Sequence, residues 1–175
     1  MHNSSLLIDP QGQLASRYDK LHLFGFCTGQ EQYDEAATMT PGREVVSHPL
    51  PWGVLRLGIC YDLRFPELFR LGPAPDFIAL PAAFTHTTGL AHWALLLRAR
   101  AVENLAFVFA SAQGGHHPGG RRTFGHSMII DPWGRILAQV EEGQGMAIAT
   151  LDLAAQRTVR SQLPALTHRK IAVGP

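Results

Sequence analysis

Cys60 is the residue whose setting in the sequence most clearly indicates chemistry. It ends the mostly apolar run 54–60, which predicts a buried strand, and it precedes the polar stretch 61–67 that leads into a helix. A side chain at such a strand-to-helix turn lies at the carboxyl edge of a sheet, where backbone N–H groups can hold a developing oxyanion. A cysteine there can act as a nucleophile. The alternative is a small buried hydrophobic residue, which is what most free cysteines are.

Lys20 and Glu35 are the next candidates for a catalytic site. Lys20 lies between apolar residues at the predicted end of a strand. Desolvation there would let it act in catalysis, and the alternative is a surface lysine whose ammonium group extends into water. Glu35 and Glu67 could serve in acid–base or orienting roles, or could be solvated or capping carboxylates. Cys27 lies in a loop and has no comparable setting.

Composition and charge exclude several classes of function. Lys plus Arg total 15 and Asp plus Glu total 14, so the net charge of +1 gives no electrostatic footprint for nucleic acid. No apolar run reaches the length of a transmembrane helix and residues 1–5 have no signal-peptide pattern, so we expect no membrane partner and a cytoplasmic location. The nine His residues show no zinc-ligand spacing, and the Gly pairs lack the Lys-Ser/Thr of a phosphate loop. The residues therefore do not indicate a metal site.

The elements that must position these residues alternate between strands and helices. Strands are predicted over 4–8, 13–18, 45–49, 54–60, 76–81, 105–112, 124–130, 135–140 and 146–153, and helices over 66–71, 91–104 and 154–163. Residues 25–44 have no clear period and are interpreted as a long ordered loop. Within 91–104, Leu95, Ala99 and Val102 share one apolar face, as in a helix that packs on a sheet. This alternation favours an α/β architecture with helices covering sheet faces.

Length, composition and an internal repeat indicate one ordered domain over residues 1–175. With 46% apolar and 17% charged residues, the chain can bury a sizeable core, which excludes disorder as its dominant state. The segment 5–12 aligns with 127–134, and each contains an Asp-Pro-x-Gly turn followed by an apolar strand. The two segments are either equivalent hairpins of a pseudo-symmetric sheet or sandwich, or two copies of a common turn.

Four motifs that occur in order along the chain resemble those of the nitrilase superfamily, the carbon–nitrogen hydrolases. They are a Tyr-x-Lys-x-His-Leu-Phe run within 17–24, Gly-Ile-Cys-Tyr-Asp-Leu-Arg-Phe-Pro-Glu-Leu at 58–68, the helix 92–104 and the hairpin 124–134. The resemblance covers essentially the whole chain. The stretches 115–134 and 163–169 are most similar to a branch of the superfamily that contains deaminated glutathione amidases.

The resemblance implies an α-β-β-α sandwich and a Glu-Lys-Cys triad. Cys60 would attack an amide carbonyl to form a thioester, and Lys20 would stabilise the tetrahedral oxyanion and assist proton transfer. The backbone N–H of Tyr61 would be the second oxyanion donor, and Arg64 would contribute to substrate binding. Glu35 would position the substrate and Lys20. The implied reaction is hydrolysis of a small amide, deaminated glutathione or a similar ω-amide, by a homodimer that needs no metal or organic cofactor.

The resemblance also implies a general-base glutamate ahead of the lysine motif, and no residue before Lys20 can supply it. Asp9 falls in a hairpin turn, Asp19 adjoins the lysine, and Glu67 is a conceivable substitute. We therefore expect an N-terminally truncated domain, the C-terminal two-thirds or so, without the first strands and helices of the sandwich. The alternative is a catalytically inactive remnant that acts only as a binding or partner subunit.

Overall fold

The elements follow the predicted alternation of strands and helices, several boundaries differ, and the strand predicted over 146–153 does not form. The computed structural model describes residues 1–29 and 31–171. The strands are β1 (Ser4–Ile8), β2 (Leu14–Asp19), β3 (Gly25–Cys27), β4 (Gln32–Asp34), β5 (Ser47–Leu50), β6 (Gly53–Leu57), β7 (Phe77–Ala79), β8 (Phe107–Ala110), β9 (Gly114–His116), β10 (Arg122–Phe124), β11 (Ser127–Ile130) and β12 (Ile136–Val140). The helices are α1 (Pro66–Arg70), α2 (His86–Asn104), α3 (Leu153–Gln162) and α4 (Ala165–His168), with 3-10 turns at Glu35–Ala37 and Cys60–Arg64. Within the described residues, no helix is both long enough and apolar enough to cross a membrane.

One mixed sheet of six strands, in the order β12-β11-β8-β7-β6-β5, holds most of the hydrophobic core. Strands β6, β7 and β8 run parallel, and the other neighbours pair antiparallel. Parallel neighbours need crossover connections, which contain α1 between β6 and β7 and α2 between β7 and β8. Leu57, Ile78 and Val108 of the three parallel strands are buried. Because both faces of these strands are covered, their sequences are nearly continuous apolar runs rather than alternating patterns.

Helix α2 packs on the sheet with a different face from the predicted one. Leu95 and Val102 are 67% and 46% exposed, whereas Trp93 and Leu97 are fully buried. The helix contacts β8, β10 and β11 and starts at His86, five residues before the predicted start. The predicted packing face is therefore wrong. The helix carries apolar side chains on both sides, so periodicity alone could not decide which side meets the sheet.

The two aligned segments form hairpins with the same local geometry. In β1–β2 and in β11–β12, the Oδ1 atoms of Asp9 and Asp131 accept hydrogen bonds from the backbone N–H groups two and four residues later. Gly12 and Gly134 both have φ of 80°, a left-handed conformation that favours glycine. Each hairpin also has a register shift before its turn. The hairpins differ in their surroundings, because β11–β12 belongs to the six-stranded sheet and β1–β2 forms a separate pair.

The segment 25–44 contains more regular structure than the loop predicted for it. Strands β3 and β4 pair antiparallel, and Asp34 caps the 3-10 turn that begins at Glu35 by accepting a hydrogen bond from the N–H of Ala36. Strands of three residues are too short to produce a detectable period in the sequence. This segment brings Glu35 back towards the start of the chain, where its carboxylate accepts a hydrogen bond from the Asn3 side chain.

Gly42 lies directly against the backbone that carries Lys20, and its replacement tests that contact. Its N–H donates to the Lys20 carbonyl at 2.8 Å, and a Cβ at Gly42 would lie 2.0 Å from the carbonyl oxygen of Asp19. Gly42→Ala should therefore lower the free energy of unfolding by about 1–3 kcal/mol, because backbone must move to admit the methyl group. Gly25→Ala is the matched control, since its Cβ would meet open space. Urea denaturation of both variants checks this, and equal stabilities would contradict the packing argument.

Candidate active site

The turn after β6 holds Cys60 in an uncommon backbone conformation. Cys60 has φ of 50°, in the left-handed region that non-glycine residues rarely adopt. The N–H of Cys60 donates to the carbonyl of Pro81 at 2.9 Å, and the N–H of Ile59 donates to the Asp62 carboxylate at 2.9 Å. Cys60 is thus the first residue of the 3-10 turn Cys60–Arg64 rather than the last residue of the predicted strand. The Tyr61 N–H belongs to the first turn, where N–H groups have no partner within the helix.

The Asp62 carboxylate joins this turn to the lysine motif. Asp62 is fully buried, and its Oδ2 accepts hydrogen bonds from the Ile59 N–H and, at 2.7 Å, from the Tyr18 hydroxyl. Its Oδ1 faces the backbone N–H of His22 at 3.1 Å and the His22 Nδ1 at 2.8 Å. The His22 ring also stacks on Phe65 with ring centres 3.7 Å apart. One carboxylate therefore fixes both ends of the loop that carries Lys20 relative to Cys60.

Lys20 and Glu35 form a buried ion pair next to this loop. The Lys20 side chain is 2% exposed, and its Nζ donates to Oε2 of Glu35. The same Glu35 oxygen accepts from the Phe24 N–H at 2.8 Å, and Oε1 accepts from the Asn3 amide at 2.9 Å. Burial opposes the ionisation of Glu35, but these hydrogen bonds and the Lys20 charge outweigh it and hold the Glu35 pKa below its usual value. Glu35 is therefore ionised at neutral pH.

Cys60, Lys20 and Glu35 line one open cleft of about 840 Å³. The cleft also contains Ala83 and Arg121. Burial raises the pKa of the Cys60 thiol, while a hydrogen bond from the Ala83 backbone and the charges of Lys20 and Arg121 act in the opposite direction. The net shift is upward, so the resting state at neutral pH is a thiol. Attack on a carbonyl then requires removal of its proton.

The other predicted residues lie outside the cleft or contribute only backbone. The Tyr61 ring packs edge-on against Phe24 and Phe65, which leaves its main chain as the part that could act on a substrate. The Arg64 guanidinium stacks on Tyr61 and Phe84 and lies 3.3 Å from the His92 ring. A role for Arg64 in substrate binding stays a prediction, and these contacts do not favour it.

Glu67 and Cys27 are both exposed. In the described part of the chain, no group of three or more His, Cys, Asp or Glu side chains has an arrangement that could hold a metal ion.

The sequence alone indicates no role for Asp62 or Arg121 in the candidate site. Asp62 lies two residues after the nucleophile candidate, but nothing in its spacing from Tyr18 or His22 predicts that they share a hydrogen-bond network. Arg121 lies in a Gly- and His-rich stretch that reads as an ordinary loop. Both assignments depend on contacts between segments that are distant in the sequence.

Comparison with known proteins identifies the family that contains this arrangement. The carbon-nitrogen hydrolase profile matches residues 1–161. The chain belongs to the carbon-nitrogen hydrolase family. It is 47% identical over 173 residues to the deaminated glutathione amidase of Synechocystis sp. strain PCC 6803, a match that covers 96% of this chain and 64% of that protein. The chain thus spans less than two thirds of the length of this relative.

Solved structures of carbon-nitrogen hydrolases share the fold. The crystal structure of the Caenorhabditis elegans NitFhit protein superimposes with a TM-score of 0.89 at 43% identity, over 97% of this chain and 42% of that one. A glutamate-to-glutamine mutant of an amidase from Nesterenkonia sp. AN1 superimposes with a TM-score of 0.79 at 26% identity, over 95% of this chain and 58% of that one. In that structure the acetamide moiety of fluoroacetamide is bound covalently to the active-site cysteine. The described residues therefore adopt the α/β sandwich fold of the nitrilase superfamily.

Replacing Asp62 by Asn tests whether its carboxylate holds the site together. An amide cannot accept all the donors that meet at Asp62, so at least one buried donor would lose its partner, at a cost of about 1–3 kcal/mol. We expect Asp62→Asn to lower the free energy of unfolding by that amount and to slow alkylation of Cys60 by iodoacetamide. Glu67→Gln, the same chemical change at an exposed position five residues later, should change stability by less than about 0.5 kcal/mol. Equal effects of the two substitutions would contradict the role given to Asp62.

Proposed function

We propose that residues 1–175 are a carbon–nitrogen hydrolase domain that hydrolyses a small amide through a thioester on Cys60. The observation that carries this proposal is the shared cleft, which contains a cysteine on a strand-to-helix turn, a buried lysine and the glutamate paired with it. The covalent adduct on the active-site cysteine of the Nesterenkonia amidase supports the same chemistry. Lys20 and Cys60 are the proposed catalytic residues, and Glu35 is the residue that positions Lys20.

In the first step, a general base takes the proton of the Cys60 thiol, the sulfur attacks the carbonyl carbon of the amide, and the carbonyl oxygen becomes an oxyanion. The Lys20 ammonium group and the Tyr61 N–H would stabilise this oxyanion, because both act in a partly buried site where charge is poorly screened. The C–N bond then breaks, and the amine or ammonia leaves after gaining a proton with the help of Lys20. Water attacks the thioester, releases the carboxylic acid and restores the thiol.

The ion pair with Lys20 limits the ability of Glu35 to accept a proton during the reaction. A carboxylate with a lowered pKa and three hydrogen-bond donors is a weak base, so its proposed role is to hold the Lys20 side chain in place. The other carboxylate in the described part of the cleft, Asp34, caps the 3-10 turn at Glu35. The proposal therefore assigns attack, oxyanion stabilisation and lysine positioning to this chain, and it leaves the general base to the glutamate that the family resemblance implies.

Deaminated glutathione or a similar ω-amide is the proposed substrate. The support comes from relatives named as deaminated glutathione amidases, which include proteins from Yersinia enterocolitica and Synechocystis. We further propose a cytoplasmic location, because Cys60 and Cys27 are both free thiols, and thiols persist in reducing compartments.

Release of the amine product from deaminated glutathione tests the proposed reaction. Without the implied general-base glutamate, the wild-type protein should still release it at a rate lowered by about 10²–10⁴-fold, and Cys60→Ala should abolish the release because the nucleophile is lost. Lys20→Gln should lower kcat by about 10²–10³-fold, the usual cost of removing one oxyanion donor. Cys27→Ala is the matched control and should retain full activity. Turnover that survives Cys60→Ala, or its absence from the wild-type protein on every ω-amide tried, would contradict the proposal.

A homodimer is the proposed assembly, and the outward face of α2 supports it. Leu95 and Val102 are exposed on this face. The turn that contains the exposed Trp133 packs beside them on α2, because the Arg98 side chain donates a hydrogen bond to the Gly134 carbonyl at 2.7 Å. Two copies of the chain can bury such an apolar helix face by packing it against the same face of the other copy, as in a two-fold symmetric dimer.

Sedimentation velocity tests the assembly. The wild-type protein should sediment as a dimer, and Leu95→Glu should sediment as a monomer because the interface would then bury an unpaired charge. Leu14→Glu places the same charge at an exposed leucine of β2 and should leave the dimer intact. A dimer that tolerates Leu95→Glu would exclude this face as the interface.

A further inference from the structure

Arg121 is the cation of the cleft that forms no ion pair with any carboxylate of the described residues. Four charged residues line the cleft: Lys20, Asp34, Glu35 and Arg121. Lys20 and Glu35 form an ion pair, and Asp34 caps the turn that begins at Glu35. Within residues 1–29 and 31–171, no carboxylate forms an ion pair with Arg121, although its guanidinium shares the cleft with two carboxylates. The Arg121 guanidinium therefore has no carboxylate partner and can pair with a ligand.

The position of this charge is defined by contacts to two other residues of the cleft. Arg121 immediately precedes β10, and its Nη2 donates to the Ala83 carbonyl at 2.6 Å. Its guanidinium lies 5.6 Å from the centre of the Tyr33 ring, within the range of a cation–π contact. The Ala83 backbone also forms a hydrogen bond with Cys60. The guanidinium is thus hydrogen-bonded to Ala83, whose backbone also contacts Cys60.

The chemistry of the guanidinium selects the kind of group it would bind. Arginine has five N–H donors in a planar fork that matches the two oxygens of a carboxylate, and the contact to Ala83 uses one of them. The Arg121 side chain is exposed, so other donors can meet a ligand in the cleft. Only the acyl part of the substrate stays on the cysteine after the amine leaves, so an anchor that acts in both steps must hold the acyl part.

From this arrangement we propose that Arg121 binds a carboxylate on the acyl group of the amide substrate and thereby selects acidic amides over neutral ones. The inference rests on the proposed amidase function and adds the residue that sets its specificity. The proposal also explains why Arg121 has no ion-pair partner near the Cys60 thiol, because the substrate carboxylate would be that partner. Arg122, the next residue, carries the same charge but does not line the cleft.

A pair of substrates and a pair of arginine variants test this role. Succinamate carries the acyl-side carboxylate, and butyramide has nearly the same shape with a methyl group in its place. Arg121→Gln should lower kcat/KM for succinamate by roughly 10- to 100-fold more than for butyramide, the usual loss for a hydrogen-bonded charged partner, because any effect of the Arg121 charge on the Cys60 thiol acts on both substrates alike. Arg121→Lys should recover part of the loss, and Arg122→Gln should change neither substrate. Equal losses on both substrates would overturn the proposal and give Arg121 a role in the fold or in activating Cys60.

A second measurement works without turnover and separates this proposal from the proposed function. Succinate should slow the alkylation of Cys60 by iodoacetamide, followed by peptide mass spectrometry, with the exposed Cys27 as the internal reference. Arg121→Gln should need roughly tenfold more succinate for the same protection, whereas Arg122→Gln should behave as wild type. If the wild-type protein shows this Arg121-dependent protection but cleaves neither amide, the amidase proposal fails and the carboxylate site stands. If succinate gives no protection, or protects both variants equally, the carboxylate site is excluded.

Discussion

The geometry of the cleft depends on one buried carboxylate, that of Asp62. A polar group taken fully out of water is costly unless hydrogen bonds replace its hydration. Asp62 obtains these from Tyr18, His22 and Ile59, which belong to segments up to 44 residues away. Its bond to Ile59 orients the turn that carries Cys60, and its bonds to the other two residues enclose Lys20. The hydrogen bonds of the buried Asp62 carboxylate thus fix the positions of Cys60 and Lys20 relative to each other.

The electrostatics of the cleft follow from which charges are paired. Lys20 is nearly buried and pairs with Glu35, and Glu35 stays ionised because several donors surround it. Cys60 has neighbouring positive charges but is buried enough that its pKa is still raised. The Cys60 side chain is therefore a thiol at neutral pH. Arg121 adds a cation that forms no ion pair with any carboxylate of the described residues, and the proposed substrate carboxylate would pair with it.

The sequence predicts local features of this protein well and contacts between distant segments poorly. The strands of the main sheet, the turn after β6 and the two Asp-Pro-x-Gly hairpins are visible because apolar runs and turn residues are local signals. The packing face of α2 could not be predicted, because apolar residues such as Leu95 and Leu97 lie on opposite sides and only the sheet decides between them. The roles of Asp62 and Arg121 likewise become visible only when the chain is folded, since their partners are far apart in sequence. Residue type and position indicated Cys60, Lys20 and Glu35 as candidates, the motif resemblance gave them their roles, and the fold brings all three to one cleft.

The most direct test of this account is to trap the acyl group on the protein. The wild-type protein is mixed with succinamate, quenched with acid during the reaction and mapped by peptide mass spectrometry. The account predicts a succinyl group on the peptide that contains Cys60, removable by hydroxylamine as expected for a thioester, and no modification of Cys27. Consumption of the amide with no acyl group on Cys60, or with the group on Cys27, would contradict the central claim that Cys60 is the nucleophile.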